Sequence, residues 1–121
     1  MKIKILAQAF SICQITDFSQ VNASEEFLFI GKTDEEISLV CCTEAVPKYT
    51  LARQDGWRAF RIQGILDFSL IGILSKISTL LAENQIGIFA LSTYNTDYIL
   101  TKEEDFTKAV QVLKLNGYTI E

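Results

Sequence analysis

Six consecutive polar side chains, Ser92, Thr93, Tyr94, Asn95, Thr96 and Asp97, stand between the apolar runs 88–91 and 98–100. They place hydroxyls, a phenol, an amide and a carboxylate on one short connection, which is an inventory suited to a small zwitterion. Gly64, Asp67 and Ser69 form a second group. An amino acid presents a carboxylate, an ammonium and a side chain, and each needs a different complement. Free backbone N–H groups at a helix start near residues 67–70 hold a carboxylate with about 0.3–1 kcal/mol, rising to about 2 kcal/mol when partly buried. Gly64 allows close approach to the backbone. Asp97 or Asp67 would face the ammonium or a cationic side chain, and Tyr94 offers an apolar wall with a polar tip. The same residues also have plain structural uses. Asn95, Thr96 and Asp97 are turn formers, and Asp67 or Ser69 can supply an N-cap oxygen. Residue types alone leave both uses open.

The remaining composition removes other chemistries. Histidine is absent from the chain, which excludes Ser-His-Asp and Cys-His catalysis and most zinc sites. Cys13, Cys41 and Cys42 lack C-x-x-C spacing, and adjacent residues on a strand point to opposite faces, so all three read as reduced packing residues. No catalytic residue, cofactor or metal is expected. A net charge of −4 without a basic stripe argues against a nucleic-acid partner. The apolar stretch after Met1 is too short for a signal peptide or a membrane span, so the expected location is cytoplasmic, with no membrane partner.

The elements that must position these residues follow from periodicity. Residues 57–64 read as a strand. Leu70, Ile73, Leu74, Ile77 and Leu81 recur at helical spacing, predicting one buried face on a helix that starts around 67–69. Gly72 falls inside that helix and is expected to permit close helix–sheet packing. Residues 87–93 and 98–101 then form a hairpin around the polar turn. Thr101 and Glu104 fit a capping box, acidic residues fill the next first turn, and Phe106, Ala109, Val110 and Leu113 form an apolar stripe before Gly117. A short strand at 118–120 follows. The order strand, helix, strand, strand, helix, strand is the ferredoxin-like arrangement of an α+β domain.

The first half reads as a worn copy of the second. Residues 10–15, 27–33 and 37–42 are strand-like, and Thr33-Asp34 precede a strand much as Thr96-Asp97 do. Residues 16–26 leave no room for a long helix, and 43–56 are expected to serve as a second helix or a linker that Pro47 interrupts. Trp57 is expected at a strand start or an interface. One half of roughly 60 residues would be marginal alone, so the two are expected to share a sheet or core.

Along "GILDFSLIGILSKISTLLAENQIGIFALSTYNTDYILTKEED" the sequence resembles small bacterial ACT-domain proteins related to the ACT domains of cytosolic arginine sensors of the TOR pathway, an aspartate kinase/arginine-sensor type of ACT domain. The shared pattern is Leu-Asp-Phe-Ser-Leu at the first helix, Ile-Phe-Ala and Ser-Thr-Tyr on the next strand, and Thr-Asp-Tyr-Ile-Leu on the one after. It covers residues 57–121. Over 10–56 the likeness is looser, resting on "GKTDEEISLVC" and the following Gly-Trp. The resemblance implies a ferredoxin-like βαββαβ ACT domain at 57–121 and a degenerate ACT-like half at 1–56, a tandem ACT. It further implies a non-enzymatic regulatory protein that binds a small molecule, an amino acid, and acts as a homodimer on a regulated protein partner. Carried over by motif position, the ligand-binding residues are Gly64, Ile65, Leu66, Asp67, Phe68 and Ser69 on one wall and Thr93, Tyr94 and Asp97 on the other. One departure is Gln85, where the family has a glycine closing the first helix; Asn84 is expected to take the left-handed cap instead.

Two other functions compete. "FRIQGILDF" is similar to the phosphate-binding loop of acylphosphatases, but that chemistry needs an arginine on the phosphoryl oxygens. The loop offers Asp67 instead, and no arginine follows Arg61. The other is an ACT-type assembly or dimerisation module without a ligand, since edge strands of such sheets invite pairing.

Overall fold

A computed structural model describes residues 1–64 and 71–121. In chain order it contains β1 (Lys2–Ile5), β2 (Phe10–Ile15), β3 (Leu28–Lys32), β4 (Ile37–Cys42), a 3-10 turn (Thr43–Ala45), β5 (Ala52–Ile62), α1 (Ile73–Glu83), β6 (Phe89–Ser92), β7 (Asp97–Lys102), α2 (Glu103–Leu115) and β8 (Thr119–Ile120). The chain divides into two compact units. A C-terminal unit joins Met1–Ala7 to Arg58–Glu121, and an N-terminal unit spans Gln8–Trp57.

The C-terminal unit carries the expected order β5-α1-β6-β7-α2-β8, an α+β ferredoxin-like fold. Its strands lie in the order β8-β1-β5-β7-β6. β1, which the sequence reading grouped with residues 1–56, pairs antiparallel with β5 (Ile3 opposite Ile62) and parallel with β8 (Ile3 opposite Ile120). Ile3, Phe60, Ile62 and Ile99 from the strands pack with Ile77 and Leu81 of α1 and with Phe106, Ala109 and Leu113 of α2. Each fully buried large apolar side chain contributes about 1.5–3 kcal/mol. The periodic residues Ile73 and Leu74 pack at the margin of this core, and Leu70 lies outside the described residues.

Three local expectations are corrected. Gly72 is not inside α1 but is its N-cap, with φ of 81°, and a Cβ placed there would meet no atom of the described residues within 4 Å. Its need for glycine is conformational rather than one of close packing. Lys102, not Thr101, is the N-cap of α2; Thr101 remains buried on β7 and donates to the Lys102 carbonyl at 3.2 Å, so the capping box does not form. At the end of α1 the left-handed residue is Gln85 itself (φ 58°), while Asn84 has φ of −104°.

The N-terminal unit is an antiparallel sheet in the order β3-β4-β2-β5, to which β5 gives residues 52–57. No α-helix forms between residues 8 and 57. Residues 43–56 supply one 3-10 turn, then Pro47, and then the first half of β5, whose exposed polar residues are held extended by pairing with β2. Trp57 therefore sits within β5, opposite Phe10, rather than at a strand start. Cys13, Ile15, Leu39 and Cys41 form the core, with Leu28, Ile37 and Val46 at its margin. Beside it the buried Ser11 hydroxyl donates to Asp55 Oδ1 at 2.6 Å, which leaves Thr43 to donate to Ser11 Oγ at 2.9 Å. Arg53 Nε meets the same carboxylate oxygen at 2.7 Å.

Candidate functional site

The polar turn is shaped by its own hydroxyls. β6 and β7 pair with Ser92 opposite Asp97, leaving Thr93, Tyr94, Asn95 and Thr96 as the connection. The Thr93 N–H donates to the Thr96 carbonyl at 2.8 Å, and the Thr93 hydroxyl donates to the same carbonyl at 3.0 Å. Thr96 is buried, and its hydroxyl donates to the Ile62 carbonyl at 2.7 Å. The Asp97 carboxylate accepts from Ser92 Oγ at 2.6 Å. Thr93 is thus occupied in closing the turn, Asp97 remains half-buried beside it, and Tyr94 stands at the tip with 80% of its surface exposed.

The Thr96–Ile62 bond brings this turn to the exit of β5, two residues before Gly64. Gly64 has φ of 113°, a conformation that favours glycine. On the opposite side of β5, the Gln63 N–H donates to the Lys2 carbonyl at 2.9 Å, and the Thr119 N–H to the Met1 carbonyl at 3.0 Å. The starts of β1, β7 and β8 and the end of β5 therefore share one end of the unit. Ile65, Leu66, Asp67, Phe68 and Ser69, the other expected ligand residues, lie outside the described residues.

A cavity of about 290 Å³ opens at this same end, lined by Met1, Ile71, Gly72, Ile73, Lys76, Asn116, Gly117 and Tyr118. One wall is the first turn of α1. Gly72 brings no side chain to it, no acidic residue lies in that turn, and no side chain among the described residues caps it. Its N–H groups and the Lys76 ammonium make this wall favourable for a carboxylate. The facing wall is the segment that closes α2, where Asn116 is the C-cap and Gly117 takes φ of 92°. That helix end carries the opposite partial charge. Met1, Ile71, Ile73 and Tyr118 supply the apolar lining. Thr93, Tyr94 and Asp97 are not among the lining residues, so the structure brings the expected turn and the cavity to one end of the unit without merging them. Residues 1, 71–76 and 116–118 carry no motif; the signals that could have found them are the lone glycine at 72 and the Asn-Gly pair at 116–117.

Arg61 is committed nearby. Its Nη1 donates to the Tyr98 hydroxyl at 3.1 Å and its Nε to Gln63 at 3.1 Å, and its guanidinium lies 5.9 Å from the Tyr98 ring centre. Among the described residues no cluster of His, Cys, Asp and Glu could hold a metal ion, and no helix is long and apolar enough to cross a membrane.

Comparison with known proteins finds the same fold in solved structures. A protein from Agrobacterium tumefaciens solved by X-ray crystallography is 29% identical, with a TM-score of 0.87 over 99% of this chain and 91% of its own. A Vibrio cholerae protein of unknown function, described as a possible transport protein, matches with a TM-score of 0.75 at 19% identity over 93% of this chain and 86% of its own. The regulatory subunit of aspartate kinase from Thermus thermophilus shares the fold, with a TM-score of 0.64 at 10% identity over 95% of this chain and 97% of its own. No curated protein matches the chain. A family model of the ACT domain matches residues 52–114, which takes in all of β5, the cavity wall on α1, the polar turn and most of α2. The chain therefore belongs to the ACT-domain family.

Proposed function

We propose that this chain is a non-enzymatic regulatory protein whose C-terminal unit binds an amino acid. The observation that carries the reading is the cavity set between the positive start of α1 and the negative end of α2, the electrostatic layout of a zwitterion. The α-carboxylate sits on the first turn of α1 beside Lys76, and the ammonium faces the carbonyl end of α2. The volume, about 290 Å³, is at the small end of ligand pockets, in keeping with a metabolite of amino-acid size. Gly64, Thr93, Tyr94 and Asp97 flank the same end and set which side chain is accepted, with the Asp97 carboxylate favouring a basic one. The lack of histidine and the commitment of Arg61 to Tyr98 and Gln63 support a binding role over a catalytic one.

A thermal-shift screen of the purified protein against the twenty amino acids at millimolar concentration tests this. One responder is expected to raise the midpoint by several degrees, since a ligand at about a hundred times its Kd adds roughly 2.7 kcal/mol. Lys76→Ala should weaken that responder about fivefold, the factor that about 1 kcal/mol of charge at a helix start supplies. Asp97→Ala should leave the fold intact and change which amino acid responds, with the preference for a basic side chain lost. A flat panel, or a responder indifferent to both substitutions, overturns the reading.

A further inference from the structure

The face of the C-terminal sheet turned away from its helices carries a pair of like charges side by side. Ile3 and Ile62 pack against α1 and α2, so strand alternation turns their neighbours Lys2, Lys4, Arg61 and Gln63 to the opposite face. Lys4 stands directly opposite Arg61. The Gln63 N–H to the Lys2 carbonyl at 2.9 Å and the Leu6 N–H to the Ala59 carbonyl at 3.0 Å mark this as a hydrogen-bonded pair, with Cα atoms about 5.5 Å apart. Like charges directly opposite on a sheet cost stability. Nothing in the local sequence offsets them, for residues 1–7 and 57–64 contain no Asp or Glu. Among the described residues neither Lys4 nor Arg61 has a carboxylate within 4 Å, and Glu121 lies 3.6 Å from Lys2 instead.

The pair is also held ready. Lys4 is exposed. Of the five N–H groups of a guanidinium, Arg61 spends one on the Tyr98 hydroxyl and one on Gln63, each at 3.1 Å, which fixes its plane and leaves the others for a ligand. Tyr98 stands opposite Leu91 on this face, both half-buried, so an apolar margin borders the cations. Asp97, one residue before Tyr98, alternates to the other face.

We infer that this face docks an acidic segment of a partner protein, with one carboxylate set between the Lys4 ammonium and the Arg61 guanidinium and an apolar side chain against Leu91 and Tyr98. Two cations on directly opposed residues converge on a single carboxylate, which turns their repulsion into two charge-assisted contacts. Charge also selects the class of partner. Polynucleotides and anionic bilayers spread their charge well beyond this patch and meet a chain whose net charge is −4, whereas a short acidic segment needs the patch alone. The surface shares no residue with the cavity lining and does not rest on the amino-acid reading.

Fluorescence anisotropy of a labelled hexaglutamate peptide, titrated with the full chain at low ionic strength, tests the surface. Saturable binding is expected, weakening as salt is raised. Lys4→Glu and Arg61→Gln should each raise the peptide Kd by at least about tenfold. Lys4→Glu should at the same time raise the urea midpoint, because it replaces a like-charge pair with an opposite-charge one. Loss of the site is thereby separated from loss of the fold. Lys114→Glu, the same change of net charge on α2, should alter the Kd by less than roughly twofold. No saturable binding, a Kd indifferent to Lys4→Glu, an equal loss in Lys114→Glu, or a lowered midpoint in Lys4→Glu would overturn the inference. Tighter binding of a single-stranded oligonucleotide or of phosphatidylserine vesicles through the same two residues would overturn it as well, since the occupant would then be a different polyanion.

Discussion

The two helices end in the same way except at one residue, and that residue can be exchanged. Asn84 and Asn116 are the C-caps, each donating its side-chain amide to the carbonyl four residues back, Leu80 at 2.9 Å and Val112 at 2.8 Å. The next residue is left-handed, and the one after it returns its N–H to the helix: Ile86 to the Leu81 carbonyl at 2.9 Å and Tyr118 to the Leu113 carbonyl at 3.1 Å. This is the Schellman arrangement. In α2 the left-handed position is Gly117, and in α1 it is Gln85. A side chain there costs roughly 1–2 kcal/mol, against which glycine loses about 0.5–1 kcal/mol more conformational entropy on folding. Gln85 recovers little elsewhere, since its exposed amide donates only to the Glu83 carbonyl at 3.0 Å. Gln85→Gly is therefore expected to stabilise the protein by about 0.5–1 kcal/mol, and the mirror change Gly117→Ala to destabilise it by about 1 kcal/mol. Equilibrium urea unfolding reads both as opposite shifts in midpoint at constant m-value. A lower midpoint for Gln85→Gly would show that the exposed amide matters more than the backbone, and would refute the reasoning.

The turn and the N-terminal unit give three further expectations. Thr96→Val removes the donor to the buried Ile62 carbonyl and is expected to cost about 1–3 kcal/mol in the same assay; a cost below about 0.5 kcal/mol would mean that the carbonyl finds another partner. The Arg53 and then the Ser11 hydrogen bond hold the Asp55 carboxyl below its usual 3.8, so its contribution is complete above that value and is lost as pH falls through the lower folded pKa. Unfolding midpoints followed from pH 5 to pH 2 should therefore fall less steeply in Asp55→Asn. Burial pushes the Cys41 thiol up to about 11 from 9.0, leaving a thiolate fraction at pH 8 about a hundredfold lower than that of an unburied thiol. Alkylation followed by peptide mapping should find Cys41 protected until the chain unfolds, and prompt labelling in the native state would contradict the packing described.

The legible parts of the chain were those fixed by local pattern. Ile77, Leu81, Phe106, Ala109 and Leu113 lie where their spacing puts them, and the hairpin around residues 93–96 follows from two apolar runs flanking turn formers. The illegible parts depend on partners distant in sequence. Residues 52–56 read as part of a second helix or a linker because Arg53, Gln54 and Asp55 interrupt any apolar pattern, yet pairing of 52–54 with β2 holds them extended. Gly72 reads as helix interior because the apolar spacing runs on either side of it, whereas its positive φ makes it the boundary. Thr101 has the right spacing for a capping box but lies one residue too early, still held in β7. The turn in the candidate site was legible as polar, but its hydroxyls hold the turn together as well as facing outward. The cavity left only weak local signals, Gly72 and the Asn116-Gly117 pair, because it forms where three segments distant in sequence meet.

The placement of β1 between β5 and β8 has a consequence for how the protein is made. Ile3 must find Ile62 on one side and Ile120 on the other, so a central strand of the C-terminal unit is synthesised first but gains its second neighbour only when the last strand has been made. Contacts of such sequence separation are slow to form because long loops must close before any pairing rewards them. On the ribosome the N-terminal unit, contiguous from Gln8 to Trp57, can assemble while the other is still being translated. Residues 57–121 expressed alone would lack an interior strand of their sheet, exposing the edges of β5 and β8 that Lys2–Ile5 would have joined. The sequence region that carries the family pattern is thus shorter than the piece of chain that can fold around it.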